Sequence, residues 1–387
     1  MLMKKYLIIF LILASNSYAY DFSKVNSLVV NGISNKYFPG AALIVGFKNE
    51  IVFEKYYGKF TYDENDASVT ENSIYDIASV TKVIATTSAV MKLYESGLLD
   101  LDAKVSYYLP GFGVNGKENV TIRNLLVHNS GLKAWIPFYK TCSNKTDVVN
   151  TIFSLGLEYE TGTRFVYSDL NFITLGLIVE TITGVSLAEY CVKEIFNPLR
   201  MESTFFNPDE KVMKDVVPTE YDNTWRKRQI KGEVHDEAAA VLGGISGNAG
   251  VFSTARDLYK LMDVLYNRGK YFNHYSRGLK EERLFKEETV DLFLTKYSTD
   301  NYVNTRALGW DTKQEPVGKY RSQCGELISD NCFGHTGYTG TSVWCDRDRG
   351  IVIIFLTNRV YPSRDNNGIK EVRPELHNLI IKTLTNN

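Results

Sequence analysis

Ser79-Val80-Thr81-Lys82 places a hydroxyl and an amine three residues apart at the start of an apolar-periodic stretch. On a helix, positions i and i+3 share a face. At the first turn the positive end of the helix dipole lowers a nearby ammonium pKa and favours negative charge developing beside the serine. A lysine so placed and partly desolvated is expected to be neutral near pH 7 and to take the hydroxyl proton of a nucleophilic serine. The same four letters also describe a helix-start serine with an exposed lysine. A second copy, Ser130-Gly131-Leu132-Lys133, occurs in this chain, and its glycine and the following Trp135-Ile136-Pro137 place it in a loop. The G-x-S-x-G elbow of another large hydrolase class is absent. Neither C-x-x-C nor H-E-x-x-H occurs, and His128, His235, His274, His335 and His377 are scattered, so no metal or cofactor is expected.

The elements that must position Ser79 and Lys82 follow from periodicity. Val80, Val83, Ile84, Thr87, Val90, Met91 and Tyr94 recur at helical spacing, and Gly97 stops the pattern, predicting a helix over Ser79–Glu95. An amphipathic stretch runs from Phe22 to Tyr37. Ala41–Phe47 and Ile51–Tyr57, joined by Lys48-Asn49-Glu50, read as a hairpin, and Thr341–Asp346 with Ile351–Thr357 read as a second. The strand after Gly350 is apolar on both faces, so it belongs at the centre of a sheet covered on both sides. Helical patterns cover Leu170–Ile182, Leu187–Phe196 and, after the glycine-rich loop 243–250, Ala255–Tyr266. Pro374 is expected to open a last helix ending near Leu384. Strands at both ends and helices between them imply an α+β fold, an antiparallel sheet completed by distant parts of the chain around a mostly helical insertion. The sheet part is expected at about 20–95 and 255–387, and the insertion at about 96–254.

The 387 residues carry 44 Lys and Arg against 45 Asp and Glu, a formal charge of −1 that disfavours nucleic acid as a partner. With 44% apolar and 23% charged residues the chain is neither disordered nor collagen-like. Lys4 and Lys5, the apolar run Tyr6 to Ala14, and Ser17-Tyr18-Ala19 form a secretory signal pattern with cleavage expected after about Ala19. The run is too short to span a bilayer, and no cysteine follows it for lipid attachment. An exported, periplasmic or secreted protein without a membrane span is therefore expected. Of the five cysteines (142, 191, 324, 332, 345), Cys324 and Cys332 are close enough in sequence to close a small disulfide loop.

Two further segments accompany the first tetrad. Tyr167-Ser168-Asp169 precedes an apolar helical pattern, and His335-Thr336-Gly337 lies just before the second hairpin. In this order the three resemble the S-x-x-K, Y-x-N and K-T-G (or H-T-G) signatures of the serine β-lactamase and penicillin-binding-protein superfamily. Longer flanks resemble it too: Asn124 to Leu132 is similar to the family's L-L-x-H-T-S-G-L stretch, and Gly250 to Leu258 to its G-G-L-x-S-T-A-x-D-L stretch. The likeness spans about Gly40 to Arg359. It is nearest to the class C-like branch, which includes D-alanyl-D-alanine carboxypeptidases, class C β-lactamases and esterases, and within it to the type-4B penicillin-binding proteins.

That resemblance implies a β-lactamase/transpeptidase-like fold. It implies Ser79 as nucleophile, Lys82 as proton acceptor and Tyr167 as a phenol exchanging a proton with the leaving group. The backbone N–H groups of Ser79 and Tyr338 would form the oxyanion hole, with His335, Thr336 and Gly337 beside the substrate. Two positions depart from the pattern. Asp169 stands where an amide is commoner, and an ionised carboxylate only accepts, so it would orient Lys82 or receive a substrate N–H. His335 replaces a lysine, making a permanent charge titratable. Both departures disfavour an efficient β-lactamase. Asn248, where some relatives carry His, reads as a turn residue, and Arg359 reads equally as a carboxylate ligand or a solvated charge.

The leading expectation is an exported D-Ala-D-Ala carboxypeptidase acting on peptidoglycan stem peptides through an acyl-enzyme. The alternatives are an esterase or amidase, a weak β-lactamase, and a catalytically silent wall-peptide binder. Small peptide or acyl compounds are the expected partners. With His335 titrating and Lys82 needing to be neutral, activity is expected to rise from pH 6 to above 7.

Overall fold

Five antiparallel strands form the main sheet: β1 (Gly40–Phe47), β2 (Glu50–Gly58), β3 (Cys332–Thr336), β4 (Ser342–Asp346) and β5 (Ile351–Thr357), in the order β3-β4-β5-β1-β2. The computed structural model describes residues 20–273, 280–299, 302–303, 306–315 and 322–385; the expected signal peptide, residues 1–19, and His274 lie outside them. Strands from opposite ends of the chain join where β1 pairs with β5, Ala41 opposite Thr357 and Phe47 opposite Ile351. Every residue of β5 is buried. Ile351, Ile353 and Phe355 pack with the helices Ser23–Ser34 and Ile369–Thr385. Val352, Ile354 and Leu356 face the helix Ala255–Tyr266 and the helical region beyond it. Each such side chain contributes roughly 1.5–3 kcal/mol relative to exposure, so the doubly apolar strand fixes both layers at once. Gly46 lets the helix approach closely: a Cβ there would sit 2.5 Å from the Tyr259 ring.

The stretch predicted as one helix over Ser79–Glu95 is helical, but it opens irregularly. Ala78–Val80 forms a 3₁₀ turn, Lys82–Thr87 is widened to π-helical bonding, and Ser88–Glu95 is α-helical. Such π segments are a recurring device at functional sites. The helices Asp169–Thr183 and Ala255–Tyr266 match their periodic patterns, and both are capped by the preceding hydroxyl, Ser168 and Thr254. The last helix differs from expectation: it begins at Ile369, and Pro374 lies inside it. So near the helix start, the missing N–H forfeits one intrahelical bond and the chain continues.

A small sheet pairs Tyr75–Asp76 and Phe205–Phe206 with Val251–Ser253. It ties the entry to the Ser79 helix to the exit of the glycine-rich loop. Cys324 and Cys332 do not form the expected disulfide; all five cysteines are buried free thiols, and these two share a hydrogen bond instead. Among the described residues no single helix is long and apolar enough to cross a membrane.

Candidate active site

Ser79 follows a strained elbow. Ala78 has φ +46°, a left-handed conformation that costs a non-glycine residue on the order of 1 kcal/mol. Asp76 holds the elbow: its carboxylate accepts from Ala78 N at 2.8 Å and from His235 N at 2.6 Å. One turn on, Lys82 is completely buried. Its Nζ donates to Ser79 Oγ at 3.0 Å, Asp169 Oδ1 at 2.6 Å and the Asn248 carbonyl at 2.9 Å. Those three bonds use all three ammonium protons.

Burial alone would push Lys82 toward the neutral amine, but the Asp169 carboxylate outweighs it and raises the pKa above the ordinary lysine value. The resting site therefore holds an ammonium, correcting the expectation of a lysine neutral near pH 7. The helix dipole is a fraction of a charge, whereas Asp169 is a whole one in direct contact.

Asn248 is more than a turn residue. Thr86 Oγ1 donates to the Gly247 carbonyl at 2.8 Å, and a side chain at Gly247 would lie 2.0 Å from the Phe172 carbonyl oxygen. The loop is thus pressed between the Ser79 and Asp169 helices, which delivers the Asn248 carbonyl to Lys82. Its side chain accepts from Ser246 Oγ at 2.6 Å and donates to Asp236 Oδ1 at 3.2 Å.

Tyr167 is buried beside this pair, with Lys82 Nζ 5.0 Å from its ring centroid; its hydroxyl faces Lys82 and Ser79 but completes no well-aligned hydrogen bond among the described residues. Catalytic contacts of this kind commonly tighten only when substrate is bound. His128 backs the segment, its ring 4.6 Å from that of Tyr167 and its Nδ1 accepting from Ser168 N at 3.0 Å.

His335 and the turn after it face Ser79. Thr339 and Thr341 donate their hydroxyls to the carbonyls of Asp76 and Ile77 at 2.8 and 3.0 Å, lacing the 337–341 turn onto the elbow. That brings the N–H of Tyr338 to the same pocket as Ser79. His335 is buried, with Nδ1 2.8 Å from the Thr336 carbonyl. Burial first, then the charges of Arg306 and Lys82, push its pKa well below the usual imidazole value. It stays neutral through the working range, so the expected titration of His335 between pH 6 and 7 does not occur. Arg359 is neither a solvated charge nor a free ligand: its Nε donates to the Tyr338 carbonyl at 2.8 Å, and its Nη1 to the carbonyls of Arg364 and Asn366. It braces the Tyr338 turn.

Two cavities meet at Ser79, Tyr167 and Tyr338. The larger, about 860 Å³, is lined by cations, among them Arg306, Arg359, Arg373 and Lys370. Arg306 is paired with Asp311, whereas among the described residues buried Arg373 bonds the uncharged oxygens of Gln323 and Thr341 and its Nε has no partner. Burial, with Arg359 adding repulsion, pushes Arg373 down to about 9. The smaller cavity, about 310 Å³, is lined by Trp135, Asp169, His235, Asp236 and Glu237. The sequence reading assigned no role to Asp76, His128, Asp236 or Arg373. His128 lay within a quoted flank, but the others carry no local motif.

The family model described as Beta-lactamase matches residues 25–376. The chain is 35% identical over 368 residues to an N-acetylmuramyl-L-alanine amidase of Bacillus subtilis (strain 168), covering 87% of this chain and 80% of that protein. It is 33% identical over 355 residues to a protein of Escherichia coli (strain K12) named "Putative D-alanyl-D-alanine carboxypeptidase", covering 83% and 79%. Among solved structures, an octameric penicillin-binding protein homologue from Pyrococcus abyssi superposes with a TM-score of 0.71 at 22% identity, covering 93% of this chain and 77% of that one. A class C β-lactamase superposes with a TM-score of 0.70 at 19% identity, covering 93% and 95%. These two likenesses speak to the fold.

Proposed function

The chain belongs to the serine β-lactamase and penicillin-binding-protein family, and from that premise we propose that it is an exported serine hydrolase that cleaves an amide in cell-wall material through an acyl-enzyme at Ser79. The observation that carries this reading is the Ser79–Lys82–Asp169 chain, with contacts of 3.0 and 2.6 Å. A proton passes from Nζ to Asp169 Oδ1, the neutral amine takes the Ser79 proton, and Oγ attacks the carbonyl carbon. The N–H groups of Ser79 and Tyr338 receive the developing oxyanion. Tyr167 donates its proton to the departing nitrogen and is reprotonated by Lys82. Water then attacks the ester, releasing the acid and restoring Ser79.

Groove shape bears on which amide is cut. A D-Ala-D-Ala carboxypeptidase releases one alanine, whose carboxylate belongs with the arginines, yet the cationic arm of about 860 Å³ is of the size that holds a drug-sized ligand. The bulky stem peptide would be left with the arm of about 310 Å³. An amidase cutting between an N-acetylmuramyl group and its peptide reverses the sizes: one sugar acid on the acyl side, and an anionic peptide as leaving group. The relative named as an amidase agrees with this choice. The carboxypeptidase reading is second, supported by the name of the Escherichia coli relative and by Arg373, which has no carboxylate partner among the described residues and suits a C-terminal carboxylate.

The test offers the mature protein N-acetylmuramyl-L-alanyl-D-isoglutamine and, separately, a diacyl-Lys-D-Ala-D-Ala peptide, with Ser79→Ala as control. Ser79-dependent cleavage of the muramyl amide supports the amidase; D-Ala release alone supports the carboxypeptidase. Cleavage of neither, with no acyl-enzyme detected by mass on either substrate, overturns the proposal.

A further inference from the structure

We infer that the smaller arm is a sugar subsite, with Trp135 as the platform on which the pyranose ring of the acyl group stacks; this rests on the amidase reading above. Trp135 lines the arm and remains 44% exposed, as does Tyr338 beside it at 50%. An open indole face beside a nucleophile is an apolar surface awaiting a flat partner, and its N–H is a donor. The same cavity is lined by three carboxylates, those of Asp169, Asp236 and Glu237.

An ammonium group is the other ligand that acidic residues attract, but this arm already holds cations of the protein itself. Asp169 pairs with Lys82, and Arg364 pairs with Glu237 at 2.9 Å and with Glu220 at 2.7 Å. Asp236 is pushed up to about 6 by burial and by the nearby charge of Asp169. The carboxylate oxygens that these cations leave open are acceptors, which suit hydroxyls and an acetamido N–H. Asp236 spends Oδ1 on Ala239 N and Asn248 Nδ2, and no donor among the described residues reaches its Oδ2. The polarity of the substrate follows: hydroxyls lie in the arm lined by carboxylates, and peptide carboxylates in the arm holding Arg373.

The experiment compares two substrates with the same scissile amide, N-acetylmuramyl-L-alanyl-D-isoglutamine and D-lactoyl-L-alanyl-D-isoglutamine, which lacks the sugar. The parent should prefer the muramyl compound by about tenfold or more in kcat/KM. Trp135→Ala should erase most of that preference through KM while leaving the lactoyl reaction within about twofold, and Trp135→Phe should restore it. No sugar preference in the parent, or an equal loss on both substrates, overturns the inference. Should neither amide be cleaved while D-Ala is released from a D-Ala-D-Ala peptide, the amidase reading is what has failed. The subsite is then tested by N-acetylmuramic acid as inhibitor of p-nitrophenyl acetate hydrolysis. Competitive inhibition weakened by Trp135→Ala upholds the subsite, and its absence overturns it.

Discussion

Ser79-Val80-Thr81-Lys82 and Ser130-Gly131-Leu132-Lys133 share the same pattern and have opposite fates. Lys82 is fully buried and held by three acceptors, whereas the Lys133 side chain is 46% exposed and lies 3.9 Å from Glu158. Ser79 lines both cavities. Ser130 is buried, donating to Asn171 Oδ1 at 2.6 Å and accepting from Leu132 N at 3.1 Å. Gly131, at φ +94°, turns the chain so that the second serine and lysine part company. Reactivity therefore comes from a shared helical face with a carboxylate behind it, and the spacing only permits it.

The largest test of that contrast is Ser79→Ala. It should lower kcat by about 10³-fold or more while leaving the circular dichroism unchanged, because the nucleophile is removed and the fold is not. Lys82→Met should cost at least about 10²-fold in kcat at every pH, since it removes the amine bonded to Ser79 Oγ. A variant still active after either change would remove the distinction between the tetrads.

The pH profile sharpens it further. Asp236, pushed up to about 6, loses its negative charge as pH falls through that value, which weakens its hydrogen bond from Asn248 Nδ2 and so the loop whose Asn248 carbonyl holds Lys82 against Ser79. The kcat/KM profile should therefore fall on the acid side of about pH 6, and Asp236→Asn should flatten that limb. His335 adds no limb there, because its pKa lies well below the usual value. A limb that persists in Asp236→Asn would assign it to another group.

Smaller effects fall on the second tetrad. Ser130→Ala should destabilise by about 1–3 kcal/mol, read as a lower denaturation midpoint, because Asn171 and Leu132 N lose their buried partner. Its kcat should stay within about threefold of the parent, as Ser130 touches no reacting atom. Lys133→Met should change neither stability nor kcat by more than about 0.5 kcal/mol, the scale of an exposed ion pair.

Much of the frame was legible because it rests on local patterns. Period-two and apolar runs mark the strands, and period-3.6 apolar positions with hydroxyl caps mark the helices Asp169–Thr183 and Ala255–Tyr266. The start of the last helix was misplaced because a proline near a helix start is read more naturally as its first residue. The charge states were illegible for a different reason. Lys82 and Asp169 are 87 positions apart, and their contact depends on two helices packing around Gly247.

The sequence by itself determined which residues could react, the order of the three signature segments and the family they mark. It also determined the doubly apolar strand that forces two layers onto one sheet. Tertiary structure decided that Lys82 rests as an ammonium, that His335 is neutral, that Arg359 braces a turn and that Cys324 and Cys332 stay apart as thiols. It also divided the groove into a cationic arm and one lined by carboxylates. Those outcomes depend on burial and on charges brought together from distant parts of the chain, and electrostatic energy follows distance in space, which no spacing along the sequence encodes.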